Sequence, residues 1–220
     1  MTAKLEKEPT GNRGARLPRD QRRIQLLEAA NDVFTSKGYH AAAMDDIADA
    51  AGVSKPVLYQ HFPSKLDLYL ALLDQSCDRL VEIVEEALAS TDDNADRVVA
   101  TVAAFYEFVS SESGEFRFVF ESDLTGDGAV QQRLSRVNDE ISDAIAEVIA
   151  EDTSLPAPQA KLLAVSLVGI AQVSARYWIS GGPSTITLDE AKQLVSSLAW
   201  RGIGGFPLTE HERRIPQPSS

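Results

Sequence analysis

The stretch AAGVSKPVLYQHFPSK, residues 50–65, constrains the fold more than any other part of the chain. Gly52 tolerates the positive φ that a sharp turn needs. Ser54 is a good helix N-cap, and Pro56 falls in the first turn, where its missing N–H is no loss. A short helix carrying Ile47 and Ala48 precedes the turn, and another carrying Leu58 follows it. Ile47, Ala48, Val53 and Leu58 give both an apolar side to hold against an earlier helix. The pattern is a helix-turn-helix.

Nearly everything else reads in the helical period. Ile24, Leu27, Ala30 and Phe34 form the stripe of a first helix, and Gly38 closes it. A long helix starts near Ser64, where Ser64 and Asp67 make a capping box, and it carries Leu68, Leu72, Cys77, Leu80 and Val84 to about Leu88. Further helices are expected at about 93–111, 114–123, 127–151, 156–180 and 187–204, the last opened by Thr187 and Glu190 as a second capping box. No strand alternation, internal repeat or low-complexity tract interrupts them. The expected class is all-α, divided into a flexible basic arm (1–17), a three-helix unit (18–65), a helical body (66–206) and a tail (207–220).

The net charge of −12 speaks against sequence-independent binding of nucleic acid by the whole chain. Its distribution is uneven. Residues 1–65 hold 10 Lys and Arg against 8 Asp and Glu, and residues 66–220 hold 11 against 25. This asymmetry points to a nucleic-acid-facing N-terminal part on an acidic body. A single cysteine, Cys77, excludes a disulfide framework and a four-cysteine zinc site, and suits the cytoplasm. The longest uncharged stretch, Leu162 to Ala175, has 14 residues, too few to span a bilayer and suited to a buried helix. No membrane association, metal or cofactor is expected.

The helix after the turn presents Lys55, Pro56, Val57, Tyr59 and Gln60 on its outer face. A helix of this size fits the major groove of double-stranded DNA, where side chains read base edges. His61 and Lys65 follow where a phosphate backbone would pass. The plainer reading makes Tyr59 a packing residue, His61 a solvated one and the arginine-rich arm a solubilising tail.

The segment LLEAANDVFTSKGYHAAAMDDIADAAGVSKPVLYQHFPSKLDLYLALLD resembles the N-terminal domain of the TetR family of transcriptional regulators. The shared pattern is the Phe before KGY, then DIA, AGVS, LYQHF and SK. The resemblance implies a homodimer with a variable ligand-binding body, bound to a near-palindromic operator. It puts Lys55, Pro56, Val57, Tyr59 and Gln60 in the groove, and Tyr59, His61 and Lys65 near phosphates. One departure stands out. Threonines common at the entry to the second helix are replaced by Ala42 and Ala43, followed by Met44, Asp45 and Asp46. Asp45 and Asp46 suit a helix N-terminus but repel phosphate, so DNA binding is expected to lean on an arm carrying Arg13, Arg16, Arg19, Arg22 and Arg23.

The body admits two readings. Phe105, Phe108 and Val109 share one helical face and Phe116, Val119 and Phe120 the next. They are either ordinary core or the wall of an apolar ligand site. Ile170, Val173 and Tyr177 on the uncharged helix are candidates for the facing wall. That helix also has small residues, Gly169 among them, that permit close approach. Together with Leu188, Ala191, Val195 and Leu198 it is the expected dimer interface. The segments RGARLPRDQRR, FRFVFESD, VSLVGIAQVSARYWI and AWRGIGGFPLT are similar to actinobacterial members of the family that regulate fatty-acid synthesis genes. This implies a long-chain acyl-CoA effector, the alternative being another apolar molecule sensed by a repressor of an efflux or catabolic operon. An enzyme reading finds little support. Two of the three histidines, His40 and His61, lie in or beside the helix-turn-helix, and no nucleophile elbow, phosphate loop or metal-ligand spacing occurs.

Overall fold

Helices account for every regular element among the residues that the computed structural model describes, which are 17–111, 114–120, 124, 126–180 and 186–202. They are α1 (Arg19–Ala41), α2 (Met44–Ala50), α3 (Lys55–His61), α4 (Lys65–Ala89), α5 (Asn94–Ser110), α6 (Glu115–Phe120), α7 (Gly128–Thr153), α8 (Ala157–Ile179) and α9 (Leu188–Arg201).

The α2–α3 turn is fixed by backbone bonds. Gly52 sits at φ 64°, the Val53 N–H donates to the Ala48 carbonyl at 3.0 Å, and the Gly52 N–H donates to Asp49 at 3.0 Å. These are the two bonds of a Schellman motif, and the left-handed glycine makes them possible. α3 has only seven residues, so packing rather than intrinsic helicity must hold it. Leu58 at its centre and Phe62 at its end are fully buried with Leu26, Ala30, Phe34 and Ile47. In α1 the buried side is Leu26, Ala29, Ala30, Val33 and Phe34. Ile24, expected in that stripe, is exposed, because the core-facing stripe begins at Leu26. Gly38, at φ 75° and ψ 162°, breaks the helix where the sequence placed its end, and one more turn follows to Ala41.

α4 joins the three-helix unit to the body. Its buried residues Leu68, Tyr69, Leu72, Leu73, Cys77, Leu80 and Val84 belong to a single core that runs from α1 to α9. In the body, α4 packs on α5 and α7, α7 on α8, and α5 on α9, while the short α6 lies against α4 and α5. Ion pairs reinforce the seams. Arg133 reaches Asp74 at 2.7 Å, and Lys161 reaches Asp143 at 2.7 Å while also donating to the buried Ser142 hydroxyl at 2.7 Å. At the head of α4, Ser64 Oγ accepts from the Asp67 N–H at 3.1 Å. At the head of α9, Thr187 and Glu190 form the full reciprocal box.

α8 departs from expectation. It is 23 residues long and apolar enough to cross a membrane by length and composition, yet only Ala160, Ala164 and Ala175 are buried. It is a half-covered helix rather than a core helix.

Candidate nucleic-acid interface and effector cavity

Around the helix-turn-helix, Lys55, Pro56, Tyr59 and Gln60 are exposed on α3, and Val57 and His61 are half-buried. Arg19, Arg22 and Arg23, expected on a basic arm, occupy the first two turns of α1. Arg16, like Arg13, lies outside the described residues. Two of the α1 arginines are held in place. Arg22 donates to the Gln25 side-chain oxygen at 2.7 Å, and Gln25 donates to the Ala51 carbonyl in the turn at 2.8 Å. The Arg23 guanidinium lies 4.4 Å over the Phe62 ring. Partial burial, then the charges of Arg19, Arg23 and Arg22, hold the His61 imidazole below its ordinary pKa. These four residues form one basic patch at the C-terminal end of α3.

The other end of α3 is neutralised. Lys55 pairs with Asp45 of α2 at 2.8 Å, and that hydrogen bond and charge raise the lysine's pKa. Asp46 pairs with Lys37 at 2.9 Å and accepts the Ala43 N–H at 3.1 Å, the carboxylate half of a capping box whose hydroxyl half Ala43 lacks. Ala42 is buried. The acidic entry to α2 is thus balanced within the unit.

Lys65 occupies a different place from the one expected at a phosphate. Its ammonium donates to the carbonyls of Tyr39 at 2.8 Å, Ala42 at 2.9 Å and His40 at 3.5 Å, and lies 4.4 Å over the Tyr39 ring. All three of its N–H donors meet the C-terminal end of α1, where a cation is favoured.

In the body, Phe105, Val109, Phe116, Phe120, Gln172, Ala175, Arg176 and Ile179 line a cavity of about 10 Å³, the room of about one water. Four of the expected ligand residues therefore meet there, namely Phe105, Val109, Phe116 and Phe120. Phe108 and Val119 are buried outside its lining, and Ile170 packs against the core. Val173 and Tyr177 face outward, 70% and 63% exposed. The α8 residues that line the cavity are Gln172, Ala175, Arg176 and Ile179, a neighbouring stripe of the same helix. α8 is apolar nearly all round, so periodicity could not choose between the stripes. The two polar members of the lining stripe, Gln172 and Arg176, were the available signal.

The expected interface residues also divide. Ala191 and Val195 are 5% and 9% exposed, placed in the core by the inward face of α9, and Leu188 packs against that core. Leu198 and Leu194 lie outward. A Cβ built on Gly169 meets nothing within 4 Å. Leu162, Val165, Gly169, Val173 and Tyr177 follow one helical stripe, and all but the glycine are large exposed apolar residues.

Residues 26–72 match the family model described as bacterial regulatory proteins, tetR family, and residues 95–202 match the tetracyclin repressor-like C-terminal domain. The HTH-type transcriptional activator FasR of Mycolicibacterium smegmatis is 47% identical over 206 residues, covering 93% of this chain and 94% of that protein. The transcriptional repressor KstR2 of Mycobacterium tuberculosis is 29% identical, covering 76% and 86%. Among solved structures, a TetR-like regulator from Rhodococcus sp. RHA1 superposes with TM-score 0.65 at 30% identity, covering 87% of this chain and all of that one. FadR of Bacillus subtilis in complex with stearoyl-CoA shares the fold at 17% identity, with TM-score 0.69 over 82% and 98%. With its helix-turn-helix, helical body and these relatives, the chain belongs to the TetR family of DNA-binding transcription regulators, which are not enzymes.

Proposed function

We propose that this regulator acts in the cytoplasm as a homodimer on a two-fold operator and leaves DNA when a long-chain acyl-CoA enters its body. The observation that carries this reading is the small aromatic cavity between α5, α6 and α8. Its floor is Phe105, Val109, Phe116, Phe120 and Ile179, a lining suited to an alkyl chain. Arg176 is exposed and makes no ion pair among the described residues, so a cation stands ready for an anionic headgroup. The cavity is far too small for an acyl chain, so a chain enters only by moving α6 or α8 aside. Each buried CH₂ contributes about 0.8 kcal/mol toward that opening. The 47% identity to FasR and the stearoyl-CoA bound by the FadR of like fold support this choice of effector.

The outward stripe of α8, with Leu194 and Leu198 of α9, supplies the surface that a second copy would cover. A dimer sets two α3 helices against half-sites about 34 Å apart, one turn of DNA. Lys55, Pro56, Val57, Tyr59 and Gln60 would face bases, and Arg19, Arg22, Arg23 and His61 would face phosphates. Opening of the cavity changes that spacing only to the extent that the acyl chain prefers the displaced state.

The test is a titration of the operator complex with acyl-CoAs of increasing chain length, on wild type and on Val109→Trp. Release should strengthen with length and then level off. The tryptophan overfills the cavity and should lower the melting temperature; the folded fraction should still bind DNA and should no longer be released. Release by an apolar molecule other than acyl-CoA would instead favour an efflux or catabolic regulator.

A further inference from the structure

α3 brings one cation to its outer face, Lys55 in its first turn, and that cation is already paired. Asp45, the second residue of α2, approaches its ammonium at 2.8 Å across the turn. Both side chains are more than half exposed, so they stand on the surface that meets DNA. The neighbouring Asp46 is different, since its carboxylate is spent on the Ala43 N–H and on Lys37. Asp45 makes no other bond among the described residues. Its one partner is the lysine offered to the base edges.

An unpaired lysine at this position would be drawn to any phosphate, and that attraction is blind to sequence. The Asp45 carboxylate cancels that charge at a distance, so a phosphate meets a neutral pair instead of a free cation. It does not use up the lysine's donors. An ammonium has three N–H groups, and with one on Asp45 two remain. The O6 and N7 acceptors of guanine lie side by side in the major groove and can take both. Phosphate binding at Lys55 must overcome the Asp45 charge, whereas guanine recognition keeps the pair intact.

We propose that Asp45 is a specificity-determining residue that acts through Lys55, suppressing sequence-independent binding more than operator binding. This rests on the reading of Lys55 as a base contact. The remaining basic patch, Arg19, Arg22, Arg23 and His61, lies at the far end of α3 and supplies phosphate affinity that Asp45 leaves untouched.

The experiment uses the full chain and two duplexes of equal length and composition. One is the tightest binder selected from a random library, and the other is its scrambled counterpart. Affinity for each is measured across salt concentrations for wild type, Asp45→Asn, Asp45→Glu, Asp46→Asn and Lys55→Ala, and for the Asp45→Asn, Lys55→Ala pair. Asp45→Asn should tighten binding to the scrambled duplex about three- to tenfold and steepen its salt dependence by up to about one counterion per protomer. The selected duplex should change by less than about twofold, so discrimination falls. Asp45→Glu should keep the wild-type ratio, and Asp46→Asn should lower the melting temperature without moving that ratio. With Lys55 absent, Asp45→Asn should change nothing further.

Equal changes on both duplexes, or none, would overturn the proposal. So would an unchanged effect of Asp45→Asn in the Lys55→Ala background, which would mean that the carboxylate acts on phosphates directly. The underlying reading fails separately, if Lys55→Ala alone leaves discrimination at the wild-type level.

Discussion

Arg117 of α6 donates to the main-chain carbonyl of Thr35 on α1 at 2.8 Å, across 82 positions of sequence. Beside it, Gly114 adopts φ 70°, and a Cβ there would come within 2.8 Å of the Thr35 methyl. Phe118 completes the junction, with its ring centroid 5.3 Å from that of Tyr69 and 6.5 Å from that of Phe34. α6 also contributes Phe116 and Phe120 to the cavity. One short helix therefore touches both the proposed effector site and the DNA-binding unit.

Breaking that junction should uncouple the two. Couplings between sites are commonly about 1–3 kcal/mol, and a hydrogen bond from a charged donor contributes a comparable amount. Arg117→Ala should therefore shrink the acyl-CoA effect on operator affinity by about fivefold or more, with affinity in the absence of effector changed far less. Gly114→Ala should have the same effect and should also destabilise the chain by about 1–3 kcal/mol, through strain at a left-handed position. Operator titrations with and without effector, together with thermal melts, check both. An undiminished effector response in Arg117→Ala would show that α6 signals by another route.

Lys65→Ala should behave as a structural variant. Its ammonium satisfies three carbonyls at the end of α1, and their loss leaves acceptors without a partner. The expected cost is about 1–3 kcal/mol, a fall in melting temperature of several degrees for a chain of this size. Operator affinity should drop because the α1 end that buttresses the turn loosens. The slope of affinity against salt should stay near its wild-type value. A slope lower by about one counterion per protomer would restore the phosphate role.

The helix-turn-helix was legible because each of its parts has a local signature, in Gly52 for the left-handed turn, Pro56 for the first turn and Leu58 for the buried side. Helix ends were legible for the same reason, as at Gly38 and at Thr187 with Glu190. The choice of face on α8 was not legible. A helix apolar nearly all round gives little period to read, so Val173 and Tyr177 stood as candidates for the stripe that Ala175 and Ile179 occupy. The bonds that Lys65 and Asp45 make were not legible for another reason. Their partners, the α1 carbonyls and Lys55, are tertiary, and a charged residue's partner cannot be inferred from its own position in the chain.

His61 should make DNA binding depend on pH. In the free protein its pKa lies below the ordinary 6.5, through partial burial and then the charges of Arg19, Arg23 and Arg22. A phosphate docked on this patch would offset those charges and raise the pKa, so the complex takes up a proton. Affinity should therefore rise as pH falls through the pKa of the complex and level off below that of the free protein, by at most one proton per protomer. Stability of the free protein runs the other way. Its depressed pKa gives a contribution that is full above about 6.5 and is lost as pH falls toward the folded-state value. Operator affinities at constant ionic strength between about pH 6 and pH 8 check this. His61→Gln should flatten the profile, and a flat wild-type profile would move the phosphate away from His61.

Assembly can be tested where the outward and inward faces separate. Val173 is 70% exposed on the apolar stripe of α8, and Ala191 is 5% exposed on the inward face of α9. Val173→Glu leaves the fold of one chain intact but puts a charge at the centre of the surface that a second copy would cover, where burial without a partner is costly. Sedimentation should show a folded monomer with a melting profile near that of an isolated wild-type chain. A monomer engages one half-site and forgoes the gain from linked binding, so operator affinity should fall by about 10²–10⁴-fold. Ala191→Glu should differ in kind, because the charge enters the core and unfolds the chain instead of dividing it. A Val173→Glu protein that sediments as a dimer and binds its operator normally would place the two-fold axis on a different surface.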